Sequence, residues 1–130
     1  MSNRLRLRTR TVDGCLVVEV GGEVDMTSAP TLRDHLLGHI GLGEPCLVVD
    51  LSDVEFMDST GLSALVVAYR QGGEVGSSLR LAGAQPPVRR VLEITHLDVL
   101  LEHHDDVADA VAAVLADRDP GPTKSSAPTG

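Results

Sequence analysis

The run CLVVDL, residues 46–51, constrains this chain more than any other stretch. It is apolar save for Asp50 and too short to be a buried helix. An unbroken apolar strand is buried on both faces, and such strands belong to parallel sheets covered by helices. The flanking segments fit that frame. Residues 4–12 alternate Leu5, Leu7 and Thr9 with Arg4, Arg6, Arg8 and Arg10, the period of a strand exposed on one side. Asp13-Gly14 signals a hairpin turn. Residues 15–20 read as a second strand, stopped by Gly21-Gly22, with Glu23-Val24-Asp25 as a short polar connection.

A helix follows, capped by Thr27 or Ser28, with Pro30 tolerated in its first turn. Ala29, Leu32, Leu36, Leu37 and Ile40 fall on its inner face. Leu62, Leu65, Val66 and Tyr69 repeat the helical spacing until Gln71-Gly72-Gly73. Residues 79–82 read as a strand. Pro86-Pro87 opens a helix that turns Val88, Val91 and Leu92 inward. Residues 99–101 read as a final strand. Asp105-Asp106 start a last helix at its positive end, with Val107, Val111, Val114 and Leu115 inward. The order β-β-α-β-α-β-α-β-α predicts an α/β fold: a mainly parallel β-sheet with an N-terminal β-hairpin and helices packed on it. One domain spans residues 1–116. Residues 117–130, ending PGPTKSSAPTG, have nothing to bury and are predicted to form a disordered tail.

The totals narrow the partners. The formal net charge is −8 and aromatic residues are only 2% of the chain, which argues against nucleic acid: neither a phosphate backbone nor a stacked base finds its usual complement. No apolar run approaches the roughly 20 residues of a membrane span, and an acidic chain is repelled by anionic lipid. The N-terminus MSNRLRLRTR has charge but no apolar centre, so it is not a secretory signal, and a cytoplasmic location is expected. Cys15 and Cys46 sit in apolar runs and read as small buried hydrophobes.

Function has to be sought at FMDSTGLSAL, residues 56–65, where the apolar strand gives way to a helix. In parallel sheets, sites lie at the carboxyl ends of strands. Asp58, Ser59 and Thr60 are all good N-cap residues. Capping accounts for one of them, but not for Gly61, which costs about 0.5–1 kcal/mol inside a helix; a missing Cβ there would let another molecule's backbone approach. A nucleophile needs a base. G-x-S-x-G is absent, and none of the five histidines is tied to the junction. His35 and His39 share a helix face without a third ligand, and His103-His104-Asp105-Asp106 point in different directions, so no metal is expected. No G-x-x-x-x-G-K-[ST] loop is present, and no cofactor is expected. A phosphate on Ser59 fits the electrostatics, because a helix N-terminus favours an anion. It would turn a neutral, close-fitting surface into a bulky anionic one.

The stretch VVDLSDVEFMDSTGLSALVVAYR, residues 48–70, together with GGEVDMTSAPTLRDHL at 21–36, resembles the anti-sigma factor antagonists, the stand-alone bacterial STAS domains. The resemblance covers residues 4 to about 116. It implies that Ser59, directly after Asp58, is the phosphoacceptor; the family's usual Asp-Ser-Ser-Gly is here Asp58-Ser59-Thr60-Gly61. It implies a partner-binding surface made of Asp25, Asp58, Ser59, Thr60, Gly61 and Leu62. It implies as partner an anti-sigma factor that is an ATP-dependent serine kinase, bound by the unphosphorylated form so that the sigma factor is released, and a protein serine phosphatase that resets the switch. The chain itself is then not an enzyme. An alternative is a STAS interaction subunit of a larger signalling or transport assembly, never phosphorylated.

Overall fold

The computed structural model describes residues 4–118. Its first strands, β1 (Arg6–Val12) and β2 (Cys15–Val24), form an antiparallel hairpin across Asp13-Gly14. Both turn residues have positive φ, 50° and 83°, the geometry that two-residue hairpins favour. Then follow α1 (Ala29–Gly41), β3 (Cys46–Met57), α2 (Ser59–Glu74), β4 (Ser78–Ala82), α3 (Pro86–Ile94), β5 (His103–His104) and α4 (Val107–Arg118). The five strands form one sheet in the order β1-β2-β3-β4-β5, parallel from β2 onward.

Strand alternation divides the interior in two. Leu16, Val18 and Val20 of β2, Leu47, Val49 and Leu51 of β3, and Leu79 and Leu81 of β4 share one cluster. Leu32 and Leu36 of α1, Leu62 and Leu65 of α2, and Val88 and Leu92 of α3 pack in the same cluster. Right-handed crossovers between neighbouring parallel strands place all three connecting helices on that one face. The intervening residues Cys15, Val17, Cys46, Val48 and Ala82 point the other way, against Ala110, Val111 and Val114 of α4. CLVVDL is therefore covered on both sides, and Cys15 and Cys46 are fully buried small hydrophobes. No described helix is long and apolar enough to cross a membrane.

Three sequence expectations change. Gly21-Gly22 does not stop β2: the strand runs on through Glu23 to Val24, with register irregularities between Glu19 and Gly21 and between Gly22 and Glu23. The extra residues are on β3, which takes three steps to β2's two from Glu19 to Gly21 and two to its one from Gly22 to Glu23, so the glycines lie opposite bulges of β3. Gly22 takes φ 87°, and a Cβ on Gly21 would lie 2.7 Å from Nη2 of Arg6. β3 likewise continues past residue 51 to Met57. Second, the final strand is His103–His104, not residues 99–101. The apolar residues there form a turn in which Leu101 plugs the helix-side core and Val99 is exposed. His103 instead pairs with Leu81, and its Nε2 accepts the Ala84 N–H at 3.0 Å. Third, the last helix runs through Asp117 and Arg118, past the domain boundary expected at residue 116. Buried Arg80 on β4 holds the carboxylates of Glu102 and Asp117, so Asp117 belongs to the domain and not to a tail. The rest of the expected tail, from residue 119, lies outside the described residues. Leu115, expected inward, is exposed.

Candidate functional site

Because β2 and β3 are parallel neighbours, their carboxyl ends come out side by side. The Asp58 N–H donates to the Val24 carbonyl at 3.2 Å, which ties the two exits together. Each exit begins with an aspartate: Asp58 caps α2, whereas Asp25 closes the turn that leads into α1. Asp25 Oδ1 accepts the N–H groups of Thr27 at 2.9 Å and Ser28 at 3.1 Å, while its carbonyl accepts from Ala29 at 2.7 Å. Hydrogen bonds from the Ser28 and Thr27 backbone hold the Asp25 carboxyl below its ordinary range. Thr27 and Ser28, the caps expected from sequence, do not have that role. Ser28 stands at the N-cap position, but its Oγ donates to the Glu23 carbonyl and accepts from the Asp25 N–H.

Asp58 is the N-cap of α2. Its backbone is extended, and Oδ1 accepts Thr60 N–H at 2.9 Å and Gly61 N–H at 3.3 Å. The Thr60 hydroxyl donates to the same oxygen. The two adjacent hydroxyls therefore differ: that of Thr60 is engaged, whereas Ser59 is exposed and its side chain makes no hydrogen bond among the described residues. Of the N–H groups at this helix start, Asp58 already fills those of Thr60 and Gly61.

Gly61 is buried. A Cβ on it would sit 2.6 Å from Met57 Cγ and 2.8 Å from Val24 Cγ1. The close approach that requires glycine is thus internal, against the last core residues of β2 and β3, not the external one expected from sequence. Leu62 is also buried, within the helix-side core. Of the six residues of the expected surface, Asp25, Asp58, Ser59 and Thr60 reach solvent, while Gly61 and Leu62 shape it from beneath.

Two residues escaped the sequence reading. Met26 and Phe56 are exposed at this end of the sheet, 73% and 49% respectively. The signal for Phe56 was present: it is the only Phe in the chain, and alternation with buried Met57 turns it outward. Met26 lines a cleft of about 270 Å³ between α1 and α2 with Pro30, Arg33, Thr60, Ser63 and Val67.

No imidazole or carboxylate hydrogen-bonds the Ser59 hydroxyl among the described residues, and none of them form a cluster of three or more metal-ligand side chains. His35 and His39 lie edge to face, ring centres 4.7 Å apart, and burial followed by the neighbouring His39 keeps the His35 pKa low. What the site presents is an accessible primary hydroxyl at the start of α2, between its cap Asp58 and the neighbouring turn closed by Asp25.

Comparison with known proteins places that geometry in context. The family model described as STAS domain matches residues 6–110. The chain is 35% identical over 85 residues to an anti-sigma-B factor antagonist of Bacillus subtilis, covering 65% of this chain and 77% of that protein. It is 33% identical over 97 residues to an anti-sigma-B factor antagonist of Staphylococcus aureus, covering 75% of this chain and 90% of that one. A crystal structure of an anti-sigma factor antagonist from Mycobacterium paratuberculosis superposes with a TM-score of 0.75 at 35% identity, over 85% of this chain and 94% of that chain.

Proposed function

The chain belongs to the STAS domain family, and from that premise we propose that it is an anti-sigma factor antagonist switched by phosphorylation of Ser59. In the cytoplasm, the unmodified protein binds an anti-sigma factor that is also an ATP-dependent serine kinase, and so frees a sigma factor. The Ser59 hydroxyl oxygen attacks the γ-phosphorus of the kinase's ATP, its proton passes to the kinase, and ADP leaves. A serine phosphatase hydrolyses the phosphate and restores the binding form. The observation that carries this reading is the contrast between neighbouring hydroxyls: Ser59 is exposed and Thr60 is tied to Asp58.

The switch acts on the surface and not on the fold. Phosphorylation adds about −1.5 to −2 charges to an exposed side chain next to Asp58. Domain stability then changes little. A partner surface fitted to a hydroxyl must instead desolvate a dianion. A loss of about 3 kcal/mol in binding is more than a hundredfold in Kd.

The test begins with capture from native cells by wild type and by Ser59→Asp, which identifies the kinase that only the wild type retains. With that kinase purified, ATP treatment is expected to add one phosphate, mapped to Ser59, and none to Ser59→Ala. Calorimetry is expected to show the hundredfold loss while the melting temperature holds. Phosphate on Thr60 with Ser59 unmodified, or a phosphorylated domain that melts but binds normally when folded, sinks the reading.

A further inference from the structure

We propose that Met26 and Phe56 are the apolar anchors by which the serine-kinase partner is gripped and selected, set among carboxylates that match a basic rim on that partner. This rests on the function proposed above. Met26 and Phe56 are large exposed apolar side chains that border the Ser59 junction. Interface energy concentrates in a few such side chains near the centre of a patch, aromatics foremost.

The two anchors lie on opposite sides of the Asp58–Ser59 step. Phe56 is in register with Glu23, and Met57 with Val24. Val24 and Met57 pack in the helix-side core, so Phe56 and Glu23 project from the other face of the sheet. Met26 is on the helix side, at the mouth of the cleft with Thr60 and Ser63. A partner that touches both anchors spans the β3–α2 junction that carries Ser59, where a phosphate would meet it. The anchors also differ in kind. Phe56 issues from a paired strand and is rigid in position, whereas Met26 is unbranched and adapts.

Charge identifies the occupant. Glu23, Asp25, Asp53, Glu55 and Asp58 cluster at this end of β2 and β3, against Arg4, which shares a cleft with Glu23 and Asp25, and Arg6, which lies over Gly21. With Arg33 in the Met26 cleft as a third cation, five carboxylates outnumber three guanidiniums. A second copy would set like rims against each other, whereas a partner with Lys or Arg around two apolar sockets is complementary.

The kinase captured by the unmodified protein is the probe. Phe56 is the only Phe, so replacement by 4-fluorophenylalanine gives a single ¹⁹F line that reports it alone. That line is expected to move or broaden on addition of the kinase. Phe56→Ala is expected to weaken Kd about tenfold or more and Met26→Ala about fivefold. Leu42→Ala and Val75→Ala, equally exposed apolar residues at the far ends of α1 and α2, are expected to stay within about twofold. All four variants are expected to keep the wild-type melting temperature. The proposal is overturned if Phe56→Ala and Met26→Ala bind like wild type, if the far-end variants lose as much, or if the ¹⁹F line is unmoved. It is equally overturned if sedimentation shows a dimer of this chain that Phe56→Ala breaks. Any of these results, with Ser59 still phosphorylated, leaves the parent function standing; a wild type that no kinase binds or phosphorylates removes the parent function itself.

Discussion

At Gly61 and Gly38 the same substitution meets opposite surroundings. Both glycines are helical, and alanine is the better helix former by about 0.5–1 kcal/mol. A Cβ at Gly38 of α1 meets nothing within 4 Å, so Gly38→Ala is expected to stabilise by about that amount. A Cβ at Gly61 drives into Val24 and Met57, and overpacking costs about 1–3 kcal/mol. Gly61→Ala is therefore expected to be net destabilising by about 1–2 kcal/mol in urea melts. That pair explains what the sequence could and could not convey. An unusual glycine after Asp-Ser-Thr announced a steric demand, but not which body imposed it, because Val24 lies 37 residues away in the chain and only the β2–β3 register brings it near. Asp58 as cap was legible because its reach is local. The part Asp25 plays in closing the turn before α1 was hidden behind two hydroxyls nearer the helix, Thr27 and Ser28.

Helices were easier to read than strands. The 3.6-residue spacing in α1, α2 and α3 survives any detail of the sheet, and each of these helices appears where the spacing put it. The strands were truncated at Gly21-Gly22 and at residue 51 because a bulge and a chain break look alike in sequence. β5 was missed because a two-residue strand of histidines has no apolar period; its place is set by partners on β4. α4 shows how far such tertiary bonds reach. Arg80 is 8% exposed and holds Glu102 before β5 and Asp117 near the end of α4, both of which face solvent. Removing one carboxylate leaves the guanidinium a charged partner; removing both leaves the buried charge only the His104 ring, whose Nε2 lies 3.3 Å from Nη1. Glu102→Gln with Asp117→Asn is expected to cost about 3 kcal/mol, the low end for a buried ion stripped of its partners because these partners are themselves screened by water. Arg80→Met is expected to cost less than the double variant. Ending the chain after residue 116 is expected to lower the melting temperature relative to ending it after residue 118, because only the longer chain keeps Asp117.

Across the whole molecule, stability is expected to fall in two acid steps. Burial first, then Arg89, holds the His103 pKa below its ordinary 6.5, and the neutral ring is the form that accepts the Ala84 N–H. His35 is shifted the same way by burial and His39. The unfolded chain thus takes up these protons first. The stabilisation is complete above pH 6.5 and is lost as the pH falls through the lowered folded values. Asp25 repeats the sign at lower pH: its contribution is present above 3.8 and lost as the pH falls through its depressed value. Melting curves from pH 8 to 3 are expected to show an upper step that His103→Gln and His35→Gln reduce, and a lower step that Asp25→Asn reduces. A single step untouched by the histidine variants contradicts this assignment.

The sequential strand order has a consequence for how the chain acquires its structure in time. Each strand pairs with the one synthesised just before it, so the sheet and its three-helix face can grow in the order the ribosome delivers them, with short loop closures. α4 is different. Val111 must return to a face built by Cys15 and Val17, about a hundred residues earlier. Docking of α4 is then a late event on the folding path, made after the rate-limiting barrier. In stopped-flow experiments Val111→Ala is expected to speed unfolding and leave refolding nearly unchanged, whereas Val49→Ala, between β2 and β4, slows refolding. A nascent chain would accordingly carry a finished Ser59 surface before the cover over its far face has been translated.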